Sequence, residues 1–95
     1  MNIKDLHTQE KPVSAVELFK GTAGTATAIR INRNQKLKEH ISKTPALLIC
    51  VEGRVGFEDE NDRDVELFAG DYLLIEPMVK HWITGISNSE LLLLK

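Results

Sequence analysis

A chain of 95 residues has room for one hydrophobic core and not for two. Twelve Lys and Arg against fourteen Asp and Glu leave a formal charge of −2, which excludes the concentrated basic face that nucleic-acid binding requires. The apolar fraction of 42% is ordinary for a soluble domain, and no stretch approaches the length of a membrane span.

Residues 1–12 read as a polar N-terminal arm with no apolar signal-peptide core, so a cytoplasmic location is expected. His7, inside it, is expected to play no part in a site. From there the apolar residues fall in short runs and alternations with polar turns between them, and helical periodicity is nearly absent. The first strand is predicted over Val16 to Lys20, ended by Gly21 and Gly24. Thr25 to Asn32 follows, with Ile29 and Ile31 on one face. Lys36 to Ser42 alternates strictly, placing Leu37, Glu39 and Ile41 on one side and Lys38, His40 and Ser42 on the other. The local basic stretch from Arg30 to Lys43 is interrupted by Glu39 and reads as a solvated surface. After Pro45, the run from Ala46 to Val51 reads as a central strand buried on both faces. Its one cysteine, Cys50, has no partner for an internal disulfide and should behave as a small buried hydrophobe.

Arg54 to Phe57 is the next strand. Glu58 to Asp64 is acidic enough to suggest a calcium loop, but the loop's glycine and closing glutamate are absent from the required positions, so a charged hairpin tip is expected. Val65 to Phe68, Tyr72 to Ile75, His81 to Ile86 and Glu90 to Lys95 complete the pattern. The terminal Leu91-Leu92-Leu93-Leu94 should be buried between sheets or in a subunit interface. Eight or more short strands with tight turns and no crossover helix predict an all-β, antiparallel double-sheet jelly-roll barrel.

Two stretches, Asn34 to Gly53 and Gly70 to Gly85, resemble the paired motifs of the cupin family, from near Ile29 to Trp82. His40 falls in register with the first histidine of the family's first motif, and Gly53 with its closing glycine. Gly70 opens the second motif and His81 meets its histidine. The departures are as informative. Asn34 stands at the first motif's opening glycine, Ser42 at its second histidine and Ala46 at its glutamate. In the second motif Pro77 falls one place late, Met78 stands where glycine is common, and Gly85 replaces the closing asparagine. The resemblance implies a jelly-roll barrel whose metal-binding members hold a divalent ion on three histidines and a glutamate. Only His40 and His81 remain here as candidate metal ligands, and two neutral imidazoles bind a divalent ion weakly without a carboxylate. Glu39 should point away from His40. Glu76, on the loop before His81, is the first candidate for a compensating ligand.

The expected site is a pocket in which His40, Ser42 and His81 meet apolar walls from Leu48, Cys50, Leu74 and Ile83. Trp82 should point away from the face carrying His81 and pack at a sheet or subunit contact. With the four leucines it motivates a homodimer. Three functions are weighed: a small-molecule-binding or sensing barrel, a metal-dependent enzyme of the dioxygenase or isomerase kind, and an accessory barrel with a closed pocket. The loss of two ligand positions counts against the second, and the retained histidines count against the third. The length also disfavours a transcription regulator with a helix-turn-helix beside the barrel.

Overall fold

The computed structural model describes residues 1–95 as nine strands preceded by one turn of 3-10 helix, Ile3–Leu6. The strands are β1 (Val13–Lys20), β2 (Thr25–Ile31), β3 (Lys36–His40), β4 (Ala46–Glu52), β5 (Arg54–Asp59), β6 (Asp64–Phe68), β7 (Tyr72–Ile75), β8 (His81–Gly85) and β9 (Ser89–Leu94). They form a five-stranded sheet in the order β1-β2-β9-β4-β7 and a four-stranded sheet in the order β3-β8-β5-β6. Every pairing is antiparallel. The fold is the all-β double-sheet barrel that the periodicity predicts, and no helix is long and apolar enough to cross a membrane.

Alternation along each strand sorts the side chains. On β8, His81 and Ile83 turn inward; on β5, Val55, Phe57 and Asp59 do the same. The inner faces of the two sheets meet in a core whose largest fully buried members are Phe57, Ile31, Leu48, Ile83 and Leu91. Turn residues set the register. Gly53, between β4 and β5, has φ +86, and a Cβ there would lie 2.4 Å from the Asn88 carbonyl oxygen; only glycine fits. Asn34 and Met78 hold φ 64 and 65. The backbone thus keeps the left-handed turn at both positions where the family pattern has glycine, at a cost of about 1–3 kcal/mol for a strained non-glycine residue.

Three sequence expectations change. Strand β1 begins at Val13 rather than Val16, because Val13 to Glu17 already pair with Ile31 to Thr27 of β2. Alternation is not strict on β3. Leu37 lies opposite Ile83 and His40 opposite His81, with a register shift between them. This bulge adds one residue to β3 and turns both Leu37 and His40 toward the interior, the effect of a bulge beside a site. The N-terminal residues are also more than a polar arm. Asn2 caps the 3-10 turn by accepting from the Lys4 N–H at 3.0 Å, Arg30 donates to the Lys4 carbonyl at 3.1 Å, and Lys4 pairs with Glu52.

The acidic segment is a hairpin tip, shorter than expected, between Asp59 and Asp64. Asp59 organises it by accepting the Asn61 and Arg63 N–H groups at 2.9 and 3.1 Å. Of the four terminal leucines, Leu91 is fully buried in the core and Leu93 packs against it. Leu92 and Leu94 turn to the outer face.

That outer face is apolar over two full rows. Directly opposed residues share a face, so one row runs Leu74, Leu47, Leu94, Ala26, Phe19 across the five strands. The next runs Tyr72, Ile49, Leu92, Ala28, Val16. Leu74 at 65%, Phe19 at 66% and Tyr72 at 67% exposure stand free.

Candidate functional site

Between the sheets lies a cavity of about 250 Å³. Leu48, Ile75, Ile83 and Leu93 form its apolar walls; His40, Ser42, His81 and Lys95 line its polar part. The β3 bulge and the β3–β8 pairing bring His40 and His81 together, with ring centroids 6.3 Å apart and planes tilted by 33°. His40 is exposed, while His81 is 7% exposed. One ring sits at the opening and the other inside.

His81 is held on two sides. Phe57 stacks against it at 5.6 Å with planes 19° apart, and its Nδ1 faces the Val79 carbonyl oxygen at 3.4 Å. Burial pushes the His81 pKa below its ordinary value; the Val79 carbonyl and the Asp59 carboxylate oppose this, and the neighbouring His40 and Lys95 reinforce it. A neutral imidazole with Nδ1–H directed at the carbonyl leaves Nε2 as an acceptor. Ser42 donates its hydroxyl to the Thr44 carbonyl at 2.6 Å, and the Met78 N–H donates to the Ser42 carbonyl at 2.7 Å. That second bond ties the loop before β8 to the cavity wall.

Two expected lining residues are elsewhere. Cys50 faces inward but lies beyond the cavity, fully buried in the core, with its Sγ near the Glu52 and Gly53 carbonyls at 3.6 and 3.7 Å. Burial pushes its thiol pKa up, so it is a poor nucleophile. Leu74 is on the outer face, because Leu73 and Ile75 take the inward positions of β7. Glu76 is exposed and outside the cavity wall, and Glu39 faces solvent beside Lys80 at 3.7 Å. Trp82 lies on the outward parity of β8, half-buried, with the Lys36 ammonium 5.5 Å from its ring centre.

Lys95 and Leu37 were not anticipated. The parity of β9 contains the signal for Lys95, since Leu91, Leu93 and Lys95 share one face. Leu37 follows only from the bulge.

The metal set implied by the family resemblance does not fit these residues. No three His, Cys, Asp or Glu side chains are grouped to hold an ion. Ala46 contributes a methyl group, and the Ser42 hydroxyl is committed to Thr44.

A second polar cluster lies outside the cavity. The His7 side chain is fully buried, with Nδ1 2.8 Å from the Ser14 hydroxyl and Nε2 3.7 Å from Glu90. His7 Nε2 and one Glu90 oxygen have no hydrogen-bond partner, while Arg30 Nε donates to the other Glu90 oxygen at 2.9 Å. Burial lowers the His7 pKa more than Glu90 raises it, with Arg30 adding to the lowering. In the unfolded chain His7 therefore takes up a proton at higher pH than in the folded one. Its contribution to stability is present above the unfolded value near 6.5 and is lost as pH falls below it. Urea unfolding between pH 7.5 and pH 5 should give falling stability, with a shallower slope in His7→Gln. An unchanged slope would assign the loss to other groups, His81 first.

The fold defines a class: small double-stranded barrels built from two antiparallel sheets. This chain has the cupin fold. A cupin superfamily protein of Desulfitobacterium hafniense matches with a TM-score of 0.85 at 15% identity, covering 98% of this chain and 84% of that one. A cupin-2 domain protein of Shewanella frigidimarina matches at 0.81 and 15% identity, covering 100% and 92%. An RmlC-like cupin of Methanocaldococcus jannaschii with a double-stranded β-helix fold matches at 0.79 and 18% identity, covering 93% and 84%. No protein-family model and no curated protein sequence matches the chain.

Proposed function

We propose that the protein is a small-molecule-binding or sensing barrel whose ligand occupies the cavity beside His40, Ser42 and His81. One observation carries this reading: the cavity wall is mostly apolar, yet it holds two imidazoles 6.3 Å apart together with Ser42 and Lys95, and no Asp or Glu side chain. Apolar walls with a few convergent polar groups are the composition of a ligand pocket. A metal-dependent enzyme needs ligands that the site lacks, and a closed accessory barrel has no use for an open cavity. The test is a thermal-shift screen of fragments on protein stripped of metal, followed by NMR of the two imidazoles. Hits that move the His40 and His81 ring resonances support binding at this site. A screen without hits favours the accessory barrel, and one equivalent of metal retained through chelator dialysis favours the enzyme.

We also propose that a second copy of the chain covers the apolar outer face. Phe and Tyr side chains each offer about 150–250 Å². With Leu74 and the half-buried Leu47, Ile49, Leu92 and Leu94, the face offers on the order of 600 Å² per partner, approaching the ~800 Å² of a standard interface. Such a face can pair with its own copy about a two-fold axis. Light scattering should report a concentration-dependent dimer, and Leu74→Glu should shift it to monomer without loss of folded signal. A wild-type mass that stays monomeric at all concentrations would overturn the pairing.

A further inference from the structure

We propose that the cavity takes an anion: a small carboxylate whose apolar body lies against Leu48, Ile75, Ile83 and Leu93 and whose head group meets the Lys95 ammonium and a ring N–H of His40. This rests on the binding reading above and names its ligand class.

The first argument is the sign of the site. The charged or titratable side chains in the cavity wall are His40, His81 and Lys95, and no Asp or Glu lines it. Asp59, the inward carboxylate opposite His81, accepts the Asn61 and Arg63 N–H groups and lies outside the cavity wall. Lys95 belongs to none of the ion pairs in the molecule. The one fixed charge among the lining side chains is the Lys95 ammonium, which favours an anion over a divalent cation.

The second argument is the register. Leu47 of β4 pairs with Leu94 of β9, so the next inward positions, Ala46 and Lys95, are neighbours across the same row. Ala46 is where the resembling family places its ion-holding carboxylate. Here the carboxylate is gone, and the register sets Lys95 of the adjacent strand at the facing position. The strand end that bears Lys95 is fixed, because its N–H donates to the Thr25 carbonyl at 3.0 Å and its own carbonyl accepts the Thr25 N–H at 2.5 Å. The pleat then directs the side chain to the inner face. Its charge is felt as far as His81.

Volume and lining fix the rest of the ligand. A cavity of about 250 Å³ equals the share of roughly eight waters in the liquid, so a fragment-sized molecule fits and a sugar nucleotide does not. The apolar walls ask for a branched or aromatic body. In a partly enclosed site a lysine–carboxylate contact is a charge-assisted bond, stronger than the same contact made by a neutral amide.

The experiment compares matched pairs by calorimetry and NMR: benzoate with benzamide, and 3-methylbutanoate with 3-methylbutanamide. Each is titrated into metal-free wild type, Lys95→Met and Lys95→Arg. Lys95 is exposed at a strand end, so both variants should fold. Expected is at least tenfold tighter binding of each carboxylate than of its amide, weakening as salt is raised. Lys95→Met should abolish that preference with amide binding unchanged, and Lys95→Arg should retain it. If an amide binds as well as its carboxylate, or if Lys95→Met leaves the preference intact, the anion inference fails while the binding reading stands. If no member of either pair moves the His40 and His81 resonances at millimolar concentration, both readings fall.

Discussion

Phe57→Ala is expected to cost about 3–5 kcal/mol, the usual range for deleting a buried aromatic ring from a well-packed core. Phe57 is 1% exposed and meets both the core and the site. One contact is the stacked His81 ring; another is the Arg63 guanidinium, 5.4 Å from the Phe57 ring centre. A domain of this size has a total stability of roughly 5–10 kcal/mol, so this single deletion would remove a large part of it. The cost arises from lost transfer free energy and from a void that the two sheets cannot close without breaking the β5–β8 register. Phe57→Leu should cost less than Phe57→Ala, because most of the volume is kept. Urea denaturation measures both values. In Phe57→Leu, NMR titration should also find the His81 pKa moved back up toward 6.5, since part of the burial that lowers it is gone. A cost below about 1 kcal/mol for Phe57→Ala would mean that the ring is not tightly packed between the core and His81.

The strands could be read from the chain because the physics that forms them is local. Alternation over Arg54 to Phe57 and His81 to Ile86, with Gly53 and Gly70 punctuating the turns, fixes where the backbone must extend and where it must reverse. The pair His40 and His81 was legible for a different reason, their register with two motifs. What the sequence concealed were features of depth and of broken parity. Alternation assigns Cys50 to the inner face correctly but does not say how far along the barrel axis it lies, and it falls in the packed core. Leu73, Leu74 and Ile75 are apolar on both faces of β7, so composition could not tell which two point inward. The β3 bulge inserts a residue whose only trace is the mismatch in spacing between Leu37–His40 and Ile83–His81, visible once the strands are paired. His7 was hidden by its setting. A histidine among polar residues reads as solvated, and its burial depends on Ser14 and Glu90, distant in sequence, arriving from β1 and β9.

Putting back the two ligands that the resembling motifs carry at positions 42 and 46 should give the site the donor set to hold a divalent ion. The wild-type cavity offers His40 and His81 with rings 6.3 Å apart, and any ion bound there should complete its shell with water and be lost on dialysis against a chelator. Ser42→His together with Ala46→Glu adds an imidazole and a charge. The gain in Co²⁺ affinity should be at least about a hundredfold, because ligand count and a balancing carboxylate decide whether such a site holds a transition metal. Both positions are nearly inaccessible, at 6% and 4% exposure, so the new groups would be directed into the barrel rather than into solvent. Lys95 sets a limit. It stands beside position 46 and would pair with the introduced carboxylate, so adding Lys95→Ala should raise the affinity about tenfold further. Binding should weaken as pH falls through the histidine range, since each ring must be neutral to coordinate. Isothermal titration gives the affinities, and the visible spectrum of bound cobalt reports the ligand set. If the double variant folds and gains nothing, positions 42 and 46 do not converge with His40 and His81. If instead it gains metal and loses benzoate in proportion, one cavity serves both ions, and the Ala46 and Lys95 pair is what selects the anion in the natural chain.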